Sequence, residues 1–144
     1  MNRDDFRKLA ETRLEDAKAL LKAGRFDAAY YLAGYAVECA LKACLCGRTR
    51  EFDFPPKPKD VNDYYTHDLD ALLTTAKLRS SLKEESRTNT KLAAYWSVVK
   101  DWKEDRRYLY TGSDTERGAR ALIEAISDPE HGVLQWLAKY DGRI

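Results

Sequence analysis

Residues 28–46 read AAYYLAGYAVECALKACLC, a nineteen-residue stretch whose only charged side chains are Glu38 and Lys42. A helix this apolar has no wide hydrated face, so it is buried on more than one side. We expect it to run from Phe26 to Cys46 and to stop at Gly47. Other helices of the same bundle, a second subunit or both can cover it.

A membrane span is the alternative interpretation of this stretch. Glu38 and Lys42 would each cost about 2.5–3.5 kcal/mol near the bilayer centre, and alanines and tyrosines supply too little apolar surface to offset that cost. The first residues, MNRDDFRKLAE, are polar where an export signal needs an apolar core. The sequence therefore favours a soluble protein.

The composition argues against several classes of protein and of binding site. A chain of 144 residues fits one domain, residues 1–144. With 25 Lys and Arg against 24 Asp and Glu, it lacks the basic excess of a general nucleic-acid binder. Cys39, Cys44 and Cys46 crowd into one helix in an odd number and without a zinc-binding spacing. We expect reduced cysteines, a cytoplasmic location, no metal and no cofactor.

Apolar residues recur at helical spacing along nearly the whole chain, and no strand pattern alternates with them. An amphipathic helix precedes Gly24 and should run antiparallel to the helix of residues 28–46. A long loop is expected at 47–66. Later helices are predicted to start near His67, at Ser113-x-x-Glu116 and at Asp128-Pro129. Another helix, recognised by its apolar stripe, should end near Trp102. The fold class is all-α: an antiparallel up-down bundle of four to five core helices plus a short C-terminal helix.

One polar stripe runs along the apolar central helix. At 100° per residue, one face collects Asp27, Tyr31, Gly34, Tyr35, Glu38 and Lys42. Glu38 and Lys42 then form either an exposed pair worth about 0.2–0.5 kcal/mol, or part of a functional site. If they are partly buried they need partners, which Tyr31, Tyr35 or an arginine from another helix can supply.

A second cluster lies in DWKEDRRYLYTGSDTERGAR, residues 101–120, with Arg106, Arg107, Tyr108 and Tyr110. Arginine offers planar charged donors for phosphate and tyrosine offers a stacking face, so the combination suits RNA or a nucleotide. The structural alternative is that the aromatic side chains cap the core while the arginines pair with nearby acids. His67 and His131, the two histidines, each stand at an expected helix start, where a backbone contact is the simpler role.

Four runs together resemble the HEPN domain: RLEDAKALLKAGRFDAAYYLAGYAVECALKACLC, then HDLDALL, then DWKEDRRY and finally GVLQWL. The resemblance covers nearly the whole chain. It implies a HEPN-like bundle, commonly a homodimer, with a polar cleft at or near the dimer interface. Many members are metal-independent endoribonuclease toxins paired with a nucleotidyltransferase-like antitoxin, and others bind RNA or nucleotides without catalysis.

The sequence departs from the catalytic members at one motif. They carry an Arg followed four to six residues later by His, whereas the matching segment here, RRYLYTGSD, holds no histidine. Arg106 or Arg107 can still steady a phosphate. Tyr108 and Tyr110 replace the histidine poorly, because an unperturbed tyrosine titrates near pH 10.

The resemblance therefore implies a module that binds RNA, a nucleotide or a protein partner, without strong nuclease activity. Tyr31, Tyr35, Glu38, Lys42 and His67 are its expected cleft residues. The first alternative is an endoribonuclease toxin of a HEPN/nucleotidyltransferase pair, with a divergent catalytic site that includes Arg106, Arg107, Tyr108 and Tyr110. The second alternative is a structural dimerisation adaptor. Whether the chain is an enzyme stays open between these.

Overall fold

A computed structural model describes residues 1–48, 65–103 and 115–142. Within these ranges the chain forms seven helices and no strand, which confirms the all-α prediction. We number them α1 to α7: Arg3–Lys22, Phe26–Arg48, Leu69–Thr75, Arg79–Thr88, Thr90–Val99, Glu116–Ser127 and Val133–Leu137. Across the same ranges, no helix combines the length and the apolarity that crossing a membrane requires.

Helices α1 and α2 form an antiparallel hairpin whose ends are specified locally. Asn2 caps α1 by accepting a hydrogen bond from the Asp5 N–H, while the Asp5 carboxylate accepts one from the Asn2 N–H. At the other end Gly24 has a φ of +79°, and the N–H groups of Gly24 and Arg25 donate back to the carbonyls of Leu21 and Leu20. This pattern is a Schellman motif, which turns the chain within three residues.

Helix α2 lies at the centre of the fold and contacts α1, α3, α6 and α7. Its small and aliphatic residues include nine that are buried within a single chain: Ala29, Ala33, Ala36, Val37, Cys39, Ala40, Leu41, Ala43 and Cys44. Neighbouring helices of the same chain thus account for the apolar character of residues 28–46. Coverage by a second subunit stays a prediction.

The end of α2 and the start of α3 differ from the sequence prediction. Helix α2 continues through Gly47 to Arg48, because Gly47 does not adopt the positive φ with which a glycine ends a helix. The predicted loop at 47–66 therefore begins too early, and its residues 49–64 lie outside the described ranges. Helix α3 starts at Leu69, where the Asp68 carboxylate accepts a hydrogen bond from the Ala71 N–H.

Three later boundaries also differ from the sequence prediction. Helix α5 ends at Val99, before Trp102. Helix α6 is capped by Thr115, which accepts from the Gly118 N–H at 3.0 Å, and not by Ser113. The Asp128-Pro129 pair does not open the last helix, since the Asp128 carboxylate accepts from the backbone of Glu130 and closes a turn instead.

The C-terminal segment is tied back to the first helix. Arg7 Nη2 donates to the backbone carbonyl of Asp141 at 2.7 Å and to its carboxylate at 3.1 Å. The side chains of both residues are largely buried. Because each charge has a partner, this long-range contact holds the segment after α7 against the α1–α2 hairpin.

Candidate functional site

Glu38 is a buried carboxylate on the central helix. Only 2% of the residue is exposed, and apolar side chains surround it along α2. A buried charge needs compensating partners, and each carboxylate oxygen of Glu38 has one. Oε2 lies 3.2 Å from Lys42 Nζ, and Oε1 lies 2.8 Å from His67 Nδ1. We refer to Glu38, Lys42 and His67 as the Glu38 cluster.

The two basic members of the Glu38 cluster reach the surface to different degrees. The Lys42 side chain is 15% exposed, whereas that of His67 is 48% exposed. His67 directly precedes the Asp68 cap of α3, so the start of that helix presents its ring to α2. An ionised carboxylate only accepts hydrogen bonds, and we therefore assign a proton to Nδ1 of His67. The other ring nitrogen, Nε2, then remains available to a ligand.

Tyr31 and Tyr35 lie on α2, about two turns and one turn before Glu38. The rings of Tyr31 and Tyr35 are stacked, with centroids 6.4 Å apart and planes inclined by 12°. Tyr31 also contacts the buried indole of Trp102, whose centroid is 6.0 Å away. Both tyrosines are partly exposed. We refer to Tyr31 and Tyr35 as the tyrosine pair, a stacking surface fixed on one side by Trp102.

Burial and the charge of Glu38 keep the neighbouring phenol of Tyr35 and thiol of Cys39 neutral. Burial, followed by the negative charge that Cys39 carries when ionised and by that of Glu38, raises the pKa of Tyr35 above its ordinary value of 10.0. Burial, together with Glu38, raises the pKa of the Cys39 thiol to about 11. A thiol and a phenol with such values are protonated at neutral pH, so neither serves as an activated nucleophile or base. Charge at this site therefore comes from the Glu38 cluster.

The structure brings together the residues predicted to line a cleft. Glu38 contacts both Lys42 and His67, and the tyrosine pair precedes Glu38 on α2. The predicted catalytic residues Arg106, Arg107, Tyr108 and Tyr110 lie outside the described ranges, so their place beside this surface stays a prediction.

Trp102 lies beside the tyrosine pair, and the sequence did not predict this position. The sequence suggests a residue that caps the core or ends a helix, whereas the structure packs its indole directly on Gly34. A glycine inside a long buried helix, between Tyr31 and Glu38, is the sequence signal for such a close approach. The signal does not say which residue makes that approach.

A separate cavity of about 180 Å³ opens between α1, α2 and α7. It is lined by Arg7, Ala40, Leu134 and Asp141, among others, and shares no residue with the Glu38 cluster or the tyrosine pair. Among the residues described, no group of three or more His, Cys, Asp or Glu side chains is placed to hold a metal ion.

Comparison with known proteins is consistent with this architecture. The family model of the HEPN domain matches residues 4–128, nearly the whole chain and including every residue of the Glu38 cluster. No curated protein and no solved structure matches the chain significantly. The match to the family model and the all-helical fold lead to one conclusion: the chain belongs to the HEPN domain family.

Proposed function

We propose that this HEPN domain binds RNA along the exposed side of α2, without efficient nuclease activity. The observation that carries the proposal is the arrangement around Glu38. Its buried carboxylate holds Lys42 and His67, and the tyrosine pair lies on the same helix. The proposal also agrees with the family, since HEPN domains are often RNA-binding or nuclease modules.

The tyrosine pair suits the bases of a single-stranded RNA, and the basic side chains of the Glu38 cluster suit its phosphates. Aromatic faces stack on unpaired bases, a contact worth about 1–3 kcal/mol per base. Lysine and protonated histidine attract the phosphates between those bases. Because the net charge of the chain is only +1, binding must rely on local contacts and not on a general basic surface. Arg106 and Arg107 would add phosphate contacts if their segment faces α2, as we propose.

The absence of strong nuclease activity follows from the missing Arg-x4–6-His motif. In the catalytic members its histidine helps to activate the ribose 2′-hydroxyl or to protonate the leaving oxygen. No histidine follows Arg106 or Arg107 within that window. A module of this kind would retain recognition of RNA while lacking the group that moves the proton.

Fluorescence anisotropy with a short rhodamine-labelled oligouridylate tests this proposal. We expect saturable binding that weakens about tenfold in Tyr35→Ala, which removes one stacking face. Lys18→Gln is the matched control, because Lys18 forms an exposed pair with Glu15 on α1. Absence of saturable binding by the wild-type protein, or equal binding by Tyr35→Ala, would contradict the proposal.

The second candidate is a divergent metal-independent endoribonuclease, and one observation favours it. The 2.8 Å contact between Glu38 and His67 Nδ1 orients the imidazole as a carboxylate orients a catalytic histidine. Nε2 would then accept the 2′-hydroxyl proton of a bound RNA. Incubation with labelled RNA, followed by gel analysis of wild type and His67→Gln, decides the matter. RNA left intact by the wild-type protein rejects this candidate.

The remaining parts of the proposal concern assembly and location. We propose a homodimer, as is common among HEPN domains, and a cytoplasmic location. Cys39, Cys44 and Cys46 form no disulfide bond within the described ranges, which supports a reducing compartment. A nucleotidyltransferase-like partner belongs to the ribonuclease candidate. A structural adaptor would dimerise and bind no RNA, so the anisotropy titration separates it from the leading proposal.

A further inference from the structure

We propose that His67 makes ligand binding at this surface depend on pH, because only its protonated form presents a hydrogen-bond donor to a phosphate. The inference rests on the proposed function, since it concerns the same surface and a phosphodiester ligand. It adds a regulatory property to that function: affinity should rise as the pH falls through the range in which histidine titrates.

The buried carboxylate determines what each form of the imidazole presents to solvent. Nδ1 lies 2.8 Å from Glu38 Oε1, a distance at which it donates its proton to the carboxylate. When the ring is protonated, Nε2 also carries a proton and donates to an incoming phosphate oxygen. When the ring is neutral, Glu38 retains the Nδ1 proton and Nε2 becomes an acceptor. Two acceptors that face each other repel, so the neutral ring repels a phosphate oxygen. One added proton therefore changes the contact from repulsive to attractive.

The position of His67 makes this contact accessible. Nearly half of its side chain, 48%, is exposed, whereas the Glu38 side chain is only 3% exposed. The carboxylate is thus shielded from a ligand, and the imidazole stands between it and solvent. An anion that approaches the surface meets the ring of His67 before it meets the negative charge of Glu38.

Other titratable or charged groups near the Glu38 cluster belong to three segments. On α2, Lys42 holds the second oxygen of Glu38, and both Tyr35 and Cys39 have raised pKa values that keep them neutral. On α1, Arg13 acts on Cys39. Beside His67 itself, the Asp68 carboxylate accepts from the Ala71 N–H. Histidine is the side chain whose ordinary charge change falls between pH 5 and 8.

The second histidine of the chain supplies a matched control. His131 lies in the turn between α6 and α7, where its Nε2 is 3.5 Å from the Glu130 carboxylate. It has no place in the Glu38 cluster. Because the chain holds only two histidines, substituting each in turn separates their contributions to any pH dependence near neutrality.

The experiment measures the affinity of a 5′-hydroxyl oligouridylate at about pH 6 and about pH 8, at constant ionic strength. This probe carries only phosphodiesters and no terminal phosphate, and its tetramethylrhodamine label does not titrate in this range. Because a hydrogen bond to a charged group contributes more than one between neutral groups, we expect wild-type binding to be at least about tenfold tighter at pH 6. His67→Gln should bind equally at both pH values, and His131→Gln should behave like the wild type.

A second measurement keeps the inference testable if the variant misfolds. In the wild-type protein, nitrogen NMR shifts at pH 8 should show the proton of the His67 ring on Nδ1. Adding the oligonucleotide should move the titration of His67, but not that of His131, to higher pH. A proton on Nε2 at pH 8, or a titration unmoved by the oligonucleotide, would overturn the inference.

The outcomes separate this inference from the proposed function. Saturable binding with the same affinity at both pH values overturns the pH dependence and leaves RNA binding standing. A pH dependence that persists in His67→Gln and disappears in His131→Gln also overturns the role of His67. No saturable binding at either pH overturns the proposed function and the inference together.

Discussion

The indole of Trp102 packs directly against the backbone of Gly34, with no room between them for a side chain. A Cβ added at residue 34 would overlap three atoms of the indole, which is fully buried and also contacts Tyr31. The segment that follows α5 is therefore anchored on α2 by one glycine. This anchor stands beside the tyrosine pair, so it supports the surface that we propose for RNA.

Replacement of Gly34 by alanine should destabilise the fold. A rigid indole must move to accommodate the new methyl group, and such overpacking costs about 1–3 kcal/mol. This cost exceeds the helix propensity gained, about 1 kcal/mol at most. Urea unfolding measures the difference. Gly47→Ala is the control in the same helix, because its Cβ would meet the Asp141 backbone only at an ordinary 3.4 Å; equal losses in both variants would contradict the explanation.

Gly24 should be required for its backbone conformation and not for space. Its φ is +79°, and no atom lies within 4 Å of a Cβ built at this position. A left-handed conformation costs an ordinary L-residue about 1–2 kcal/mol, so Gly24→Ala should lower the free energy of unfolding by that amount. Gly24→Asn should lose less, because asparagine tolerates this region better. Equal stability of the wild type and both variants would argue against the Schellman motif.

Lys42 should contribute more to stability than an exposed lysine in a similar pair. Lys42→Met leaves the buried Glu38 with His67 as its remaining contact in the Glu38 cluster, and an unsatisfied buried acceptor costs about 1–3 kcal/mol. Lys18→Met removes an exposed pair with Glu15, and should change stability by less than about 0.5 kcal/mol. Thermal or urea unfolding of the two variants provides the comparison. Similar small effects would show that burial of Glu38 carries no energetic consequence.

Acid should weaken the contact between α5 and the turn after α6. The pKa of Asp128 lies below its ordinary value of 3.8, mainly because the Glu130 N–H donates a hydrogen bond to the carboxylate. The second cause is the Tyr95 hydroxyl, which donates to the carboxylate at 2.7 Å. The same contact raises the pKa of Tyr95 to about 12. Because the folded-state pKa of Asp128 is lowered, its contribution is present above pH 4 and is lost as the pH falls through that folded value.

Asp128→Asn should therefore be less stable than the wild type at pH 7, and the difference should shrink as the pH approaches 2. Tyr95→Phe should remove only the part of this dependence that the hydroxyl supplies. Urea unfolding at several pH values measures both effects. A difference between wild type and Asp128→Asn that stays constant across this range would contradict the role assigned to the carboxylate.

Dimerisation is the last prediction, and it rests on the family. Light scattering near micromolar concentration should give twice the 16.5 kDa mass of one chain. Most of the apolar residues of α2 are already buried within one chain, so the dimer contact must use other surfaces as well. A mass of one chain at all accessible concentrations would remove the homodimer from the proposal.

Local sequence signals predicted the helical architecture and one contact of the site. The 3.6-residue period placed Glu38 and Lys42 one turn apart, and the structure joins them at 3.2 Å. Gly24 marked the turn between α1 and α2 as the sequence indicated. These features depend on residues within one helical turn or one loop, and such relationships can be inferred from spacing alone.

The tertiary structure decided which distant residues complete the site. His67 stands 29 positions after Glu38 and outside α2, so no helical periodicity relates the two. Trp102 reaches Gly34 from the segment that follows α5, and Asp141 reaches Arg7 from the segment that follows α7. The burial of Glu38 likewise depends on the helices around α2. The sequence by itself determined the helices and the polar stripe, whereas only packing between distant segments decided that the stripe carries a buried carboxylate with a half-exposed histidine.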